Sequence, residues 1–407
     1  MPLVQRFLNG PGLGDVRALG IAVSGGGDSM ALLHLAAEAG IAARAVTVDH
    51  GLRPEAAAEA AEVARVCAGL GVPHDTLRWQ GWDGRGNLQD QARRARYGLM
   101  ADWARAAGLD AVALGHTRDD VAETFLMRLA RGAGVDGLAA MQARRRHEGM
   151  LWLRPLLRFS RHDLREDLRR RGAGWIEDPS NENPAFDRVR IRKAMAGLAD
   201  LGLGCERLAQ VAGHLADVRA ALDHQTRQAA GRLVTLDRGD VILGHEALTL
   251  PAEILRRLLR QAVQWVASAE YGPRGPSLAQ ATARLTEGRG VTLHGCRLVL
   301  RREGLRIFRE WQAVRGVVSA TDAPWDGRWR LEGPEIAGQQ VRALGPLGLL
   351  SCPDWRASGM PRTSLLASPA VWLGDVLVAA PLAGKANGWT AKAESLRNGD
   401  FLSLLSH

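Results

Sequence analysis

Six residues near the start of the chain, Ser24-Gly25-Gly26-Gly27-Asp28-Ser29, put three glycines beside two hydroxyls and a carboxylate. Glycines without Cβ atoms let main-chain N–H groups close around phosphate oxygens, and a helix start behind them adds partial positive charge. No lysine follows these glycines, so the stretch departs from the G-x-x-x-x-G-K-[ST] pattern. Asp28 would repel phosphate unless a divalent cation, Mg²⁺, sat between them. This set suits a loop that holds the pyrophosphate end of ATP and releases it. A second cluster runs from Gly115-His116-Thr117 through Asp119 and Asp120 to Glu123. Asp120, Glu123, Thr124 and Met127 lie three, four and seven residues apart and so share one helix face. Two carboxylates at a helix N-terminus beside a phosphate loop can hold Mg²⁺ or bind an amine; acids in that position also serve simply as caps. His116 has no second His or Cys at ligand spacing, which argues against zinc.

The elements that must position these clusters alternate. Ile21–Val23 reads as a buried strand, and the apolar run behind Ser29 reads as a helix ending before Gly40. Strands follow at 43–48, 74–79 and 111–114, with helices at 55–70, 88–107 and 119–131, the helices each followed by glycine or a turn. That alternation implies an α/β fold, a Rossmann-like parallel sheet with helices on both faces, whose ligands lie at the carboxyl ends of the strands. Ser24–Ser29, Asp49-His50 and 115–120 all fall at that end. Position in the sheet nominates Val48 and Asp49, with Ala22, for the purine side of the nucleotide. Gly10-Pro11-Gly12-Leu13-Gly14 precedes the first strand and reads as a lead-in. Further on come a strand-like run at 151–157, a charged helix opened by Ser160, an acidic turn at 175–181 and a basic helix, Arg188–Lys193. An α+β segment follows, with a long helix over Cys205–Leu233, a hairpin over 233–243, another helix over 248–268 and three short strands between 291 and 310. From about residue 316 the chain is rich in strands and turns.

At 407 residues the chain suggests two or three domains. The expected boundaries are 1–204 for the nucleotide domain, 205–315 for the middle domain and 316–407 for a small C-terminal domain. A net charge of +9, carried almost entirely by arginine, fits contacts with nucleic acid. The four cysteines, Cys67, Cys205, Cys296 and Cys352, are scattered and form no C-x-x-C, which excludes a zinc ribbon and points to a reducing, cytoplasmic compartment. No apolar run is long enough to span a bilayer, so no membrane partner is expected.

Several motifs occur together and in order: Ser-Gly-Gly-x-Asp-Ser at 24–29, Val-Asp-His-Gly-Leu-Arg at 48–53, Leu-Gly-His-x-x-Asp-Asp-x-Ala-Glu-Thr at 114–124, Arg-Pro-Leu-Leu at 154–157, Glu-Asp-Pro-Ser-Asn at 177–181 and Arg-Ile-Arg at 190–192. The set resembles the tRNA(Ile)-lysidine synthetases, members of the PP-loop ATP pyrophosphatases, over roughly the first 200 residues. The resemblance implies conversion of the wobble cytidine of a tRNA(Ile) with a CAU anticodon to lysidine, using ATP and L-lysine and releasing AMP and pyrophosphate. It implies that Ser24, Gly25, Gly26, Gly27, Asp28 and Ser29 hold the nucleotide, that Asp28 holds Mg²⁺, and that Asp120 and Glu123 bind lysine with His116 orienting the site. It implies that the cluster around Arg192 reaches phosphate and that the appended domains grip tRNA. Two other readings stay open. A tRNA base thiolase of the same superfamily would ordinarily need paired cysteines, which are lacking, and a non-catalytic nucleotide sensor would have no use for acids facing phosphate.

Overall fold

The computed structural model describes residues 1–10, 12–51, 54–80, 88–177, 187–394 and 401. Pro11, Asn87, the Leu52-Arg53 end of one motif and Asp178–Asn181 of another lie outside the described residues. The chain divides into two compact units, Met1–Arg219 and Ala220–His407.

In the first unit the elements run α1 (Leu3–Leu8), β1 (Leu19–Ala22), α2 (Gly27–Glu38), β2 (Ala43–Asp49), α3 (Ala56–Gly69), β3 (His74–Arg78), α4 (Leu88–Ala106), β4 (Ala111–Ala113), α5 (Arg118–Leu129), α6 (Val135–Leu138), β5 (Arg144–His147), β6 (Met150–Leu153), α7 (Arg161–Arg170) and α8 (Asp187–Ala199). A long helix, α9 (Cys205–Leu233), contains the point at which the two units divide. The sheet order is β3-β2-β1-β4-β6-β5, parallel except for β5, which pairs antiparallel with β6. The parallel alternation expected from the sequence is present. The edge hairpin is an addition, because Arg144-Arg145-Arg146-His147 is exposed throughout and offers no apolar period to read. Charge on an outer strand discourages pairing with a further chain.

Period-two alternation sorts the strand residues between two cores. Leu19, Ile21, Ala111, Ala113 and Leu153 pack with Leu32 and Leu33 of α2, Val63 and Cys67 of α3, and Leu164 and Leu168 of α7. Val46, Val112 and Trp152 face the other way, onto Tyr97, Met100, Ala101 and Ala104 of α4. Helix α1 was not legible from its short sequence, yet Phe7 and the neighbouring Leu13 are buried in the first core, so the expected lead-in is part of the folded body. A third cluster, Val121, Ala122 and Phe125 with Met195 and Leu208, fastens α5 to α8 and the start of α9.

The second unit opens with β7 (Val234–Asp237) and β8 (Asp240–Leu243), then α10 (Ala252–Ala267), α11 (Gly275–Thr286), β9 (Val291–Leu293), β10 (Cys296–Arg301) and β11 (Gly304–Arg309). The strands form an antiparallel sheet, β7-β8-β11-β10-β9, covered by α10 and α11 through Leu258, Leu259, Val263 and Leu278. Helix α11 begins at Gly275-Pro276; proline is tolerated in a first helical turn, where its missing N–H costs nothing. The remainder, from α12 (Trp311–Val314) and β12 (Val318–Ala320) onward, is strand-rich and has its own core around Trp325, Trp329, Val341 and Val371. Among the described residues no helix is long and apolar enough to cross a membrane.

Candidate active site

Three helix N-termini meet at the carboxyl end of the parallel sheet: α2 after β1, α5 after β4 and α7 after β6. The loop after β1 is internally braced. Ser24 N–H donates to Ser29 Oγ at 3.2 Å, and Ser29 Oγ donates to the Gly26 carbonyl at 2.8 Å. The Ser24 amide is therefore engaged within the loop, whereas those of Gly27, Asp28 and Ser29 open α2 and have no i−4 partner in the helix. Gly25 sits at φ +83°, in the left-handed region, and a Cβ there would come within 2.6 Å of Ile176 Cδ1. The Ile176 N–H donates to the Gly25 carbonyl at 2.9 Å, so the 175–177 segment lies directly over the loop. Gly115, at the end of β4, is equally confined: a Cβ would meet Ser29 N at 3.0 Å and the Asp28 carbonyl at 3.1 Å.

Helix α5 begins with a capping box. Thr117 N–H and Oγ1 both donate to Asp120 Oδ2, at 2.8 and 2.9 Å, and the Asp120 N–H donates back to Thr117 Oγ1. The cap uses only one of the two carboxylate oxygens, since Asp120 Oδ1 points the other way and accepts from Arg161 Nη2 at 3.3 Å. One turn on, Glu123 is 1% exposed in its side chain. Its Oε1 accepts from Arg161 Nη1 at 3.0 Å and from Arg192 Nε at 2.9 Å. Its Oε2 lies 3.1 Å from Arg188 Nε, close enough for charge pairing but off the line of a directed hydrogen bond. Arg188 and Arg192 share one face of α8 by four-residue spacing, and Arg188 also donates to Thr124 Oγ1 at 3.4 Å. The structure thus brings Asp28, Asp120, Glu123, Thr124 and Arg192 together.

The residue that unites them is Arg161, which the sequence reading passed over. It is the first residue of α7, after the N-cap Ser160, whose Oγ accepts from the Asp163 N–H at 3.0 Å. Arg161 Nε donates to Asp28 Oδ2 at 3.1 Å, and its own N–H donates to Asp119 Oδ2 at 2.8 Å. A cation at a helix N-terminus opposes the dipole, and that misfit between residue and position is the one signal in the sequence that could have flagged it. Burial disfavours its charge, but Asp28, Asp120 and Glu123 outweigh burial and hold the guanidinium firmly protonated.

The same neighbours act on the acids. Burial pushes the Asp28 carboxyl above the usual range in spite of Arg161, and its Oδ1 is buried with no partner among the described residues. Burial works in the same direction on Asp120, but Arg161, the Thr117 amide and Arg188 reverse it and hold that carboxyl below its ordinary value. Burial drives His116 down to about 4, leaving it neutral at pH 7 with Nδ1 unpartnered among the described residues. Arg154 is buried nearby; its Nη1 donates to the Gln142 carbonyl at 2.9 Å, while its Nε and that of Arg96 have no partner among the described residues. Val48 and Asp49 end β2, next to β1 and thus at the loop's end of the sheet, where Asp49 Oδ1 accepts from the Gly51 N–H at 2.8 Å.

One buried carboxylate oxygen without a partner, set beside a phosphate loop, fits a magnesium ion held by one protein carboxylate and phosphate oxygens. No cluster of three or more His, Cys, Asp or Glu suited to a metal occurs among the described residues. The site therefore suits an ion that arrives with the nucleotide better than an all-protein cage.

Comparisons with known proteins agree with this arrangement. The PP-loop domain family matches residues 4–198. The tRNA(Ile)-lysidine synthase of Ruegeria pomeroyi is 53% identical over 396 residues, covering 96% of this chain and 94% of that protein. Those of Zymomonas mobilis and Rhodopseudomonas palustris are 40% and 41% identical, covering 68% and 70% of this chain and 83% and 90% of the respective proteins. With its loop after β1, its paired acids on α5 and likeness to the Ruegeria pomeroyi protein along nearly its whole length, the chain belongs to the tRNA(Ile)-lysidine synthase family of PP-loop proteins.

Proposed function

We propose that the protein joins L-lysine to C2 of the wobble cytidine of a tRNA(Ile) with a CAU anticodon. ATP supplies the driving force, passing through an adenylated cytidine and leaving as AMP and pyrophosphate. The observation that carries this reading is the convergence of Asp28 with Asp120 and Glu123 through one guanidinium at the mouth of the sheet. A phosphate-holding loop and an amine-binding pair of acids are thereby within one side chain's reach of each other.

The amides of Gly27, Asp28 and Ser29 would steady the departing pyrophosphate as the cytidine O2 attacks the α-phosphate. Asp28 would hold Mg²⁺, which supplies Lewis-acid stabilisation of charge developing on phosphate. Gly25 and Gly26 keep side chains out of the loop's path, Ser24 and Ser29 brace it, and Val48 and Asp49 border the purine. In the second half-reaction the lysine ε-ammonium must lose a proton before it can attack C2 and expel AMP. Asp120, held ionised, anchors the ammonium, and the proton is assigned to Glu123. His116, neutral, orients the site, while Arg188 and Arg192, paired with Glu123 in the structure, would reach phosphate only on leaving it. Residues 205–315 and 316–407 are assigned to gripping the tRNA, and four unpaired cysteines suit a reducing cytoplasm.

Mass analysis of nucleosides from tRNA(Ile) incubated with protein, ATP and lysine tests this reading. One cytidine per tRNA should gain a lysine. An unmodified tRNA alongside competent ATP binding would overturn it.

A further inference from the structure

Arg161 spends its guanidinium on three different carboxylates. Nε meets Asp28, Nη2 meets Asp120 and Nη1 meets Glu123, at 3.1, 3.3 and 3.0 Å. The oxygens that an incoming ammonium would approach are therefore already faced by guanidinium charge. Asp120 Oδ2 serves the Thr117 cap, Asp120 Oδ1 serves Arg161, Glu123 Oε1 serves Arg161 and Arg192, and Glu123 Oε2 lies against Arg188. Lone pairs remain, Glu123 Oε2 having no directed hydrogen bond, but an ammonium added to this pair meets the like charge of the guanidiniums already against it.

The same guanidinium touches the other substrate's site. Asp28 belongs to the loop that faces phosphate, and a triphosphate there competes for Arg161 with the two carboxylates, Asp120 and Glu123, that it would leave. Arg161 starts α7 beside the N-termini of α2 and α5, so a small rotation of its side chain moves it between the acids and the loop without moving the backbone, which Asp119 holds at 2.8 Å.

We propose that Arg161 is a resident stand-in for the substrate amine, occupying the acid pair until nucleotide phosphate draws it away, so that ATP binding opens the lysine site. This rests on the assignment of Asp120 and Glu123 to the amine. Arg161 is thus a positioning residue that couples the two substrates and favours nucleotide before amino acid. Linkage makes the coupling reciprocal: lysine must tighten nucleotide binding by the same factor.

Calorimetric titration of L-lysine into the full chain, with and without a non-hydrolysable ATP analogue and Mg²⁺, reads the effect. Wild-type protein should bind lysine roughly tenfold or more tightly when the analogue is present, within the usual range of such couplings. Arg161→Gln should bind lysine more tightly than wild type without nucleotide, with the coupling falling toward one. Arg161→Lys, which keeps the charge on a shorter reach, should retain part of it. Circular dichroism and analogue binding report folding of the variants. Equal wild-type affinities in the two conditions would overturn the proposal whatever the variants do. Coupling that persists in Arg161→Gln, or lysine binding weakened by the same factor in both conditions, would do the same. Glu123→Gln separates the two levels of the account. If lysine binding does not depend on Glu123, the amine-site assignment itself fails; if it does and Arg161 carries no coupling, only this inference fails.

Discussion

Replacing Glu123 with glutamine keeps the volume of a side chain that is 1% exposed and removes only its charge. Breaking a fully buried ion pair by deleting one partner costs about 3–5 kcal/mol. That figure is an upper bound here, because the Arg188 and Arg192 side chains are 44% and 38% exposed and recover water when their partner is neutralised. Arg161 keeps Asp28 and Asp120. The net loss should therefore be about 1–2 kcal/mol, which in a unit of this size lowers the melting temperature by roughly 2–8 °C. Lysine incorporation should fall far more steeply, by about 10²–10⁴-fold, the range for a lost proton acceptor. Nucleotide binding should persist and, because Glu123 helps hold Arg161 on the acid pair, tighten and not weaken. Differential scanning calorimetry, nucleotide titration and tRNA-dependent lysine incorporation separate these three effects. Undiminished incorporation in a folded Glu123→Gln protein would refute the chemical role. Collapse of nucleotide binding with a melting drop well beyond this range would show that the residue is a structural pillar instead.

Further outcomes follow from the same geometry. Asp120→Asn preserves a side chain able to cap α5 while removing the anchor for the ammonium, so ATP binding should persist and lysine incorporation disappear; retained incorporation counts against the assignment. Gly115→Ala would press a Cβ against the backbone of Asp28 and Ser29 at 3.0–3.1 Å, where no flexible side chain can yield. Its KM for ATP should rise roughly tenfold, on the order of the 10²-fold cost of a 1 Å misplacement scaled to a smaller shift. An unchanged KM would show that the loop has slack. His116, brought down to about 4 from an ordinary value near 6.5, is neutral when folded and takes up a proton more readily when unfolded. Its contribution to stability is therefore intact above about pH 6.5 and is lost progressively as pH falls toward 4. His116→Asn should flatten the stability profile in that window, and its ring resonances in the wild type should titrate near pH 4 and not near 6.5.

What the sequence revealed was local. The loop after β1 and the Asp120–Glu123 pair are legible because a strand-to-helix turn and a single helical turn fix their neighbours without help from the rest of the chain. Capping and a further role read as alternatives for Asp120, because sequence cannot show that its two oxygens point in different directions, one to the cap and one to Arg161. Arg161 escaped notice because its partners lie 38 to 133 positions away, and nothing short of the folded sheet brings α2, α5 and α7 to one point. The same holds for Ile176, whose contact with Gly25 joins the first strand-to-helix turn to a segment far along the chain. Strand β5 was illegible for the opposite reason: its four residues are all polar, and only pairing with the buried Met150–Leu153 strand defines it.

The measurement closest to the heart of the account is AMP formation from ATP by the purified chain, assayed with tRNA(Ile) and lysine each present or withheld. Sustained AMP release should require both, and should vanish in Asp28→Asn as well as in Asp120→Asn. Release that proceeds at the same rate without lysine would contradict an acid pair poised to deliver an amine to an activated base.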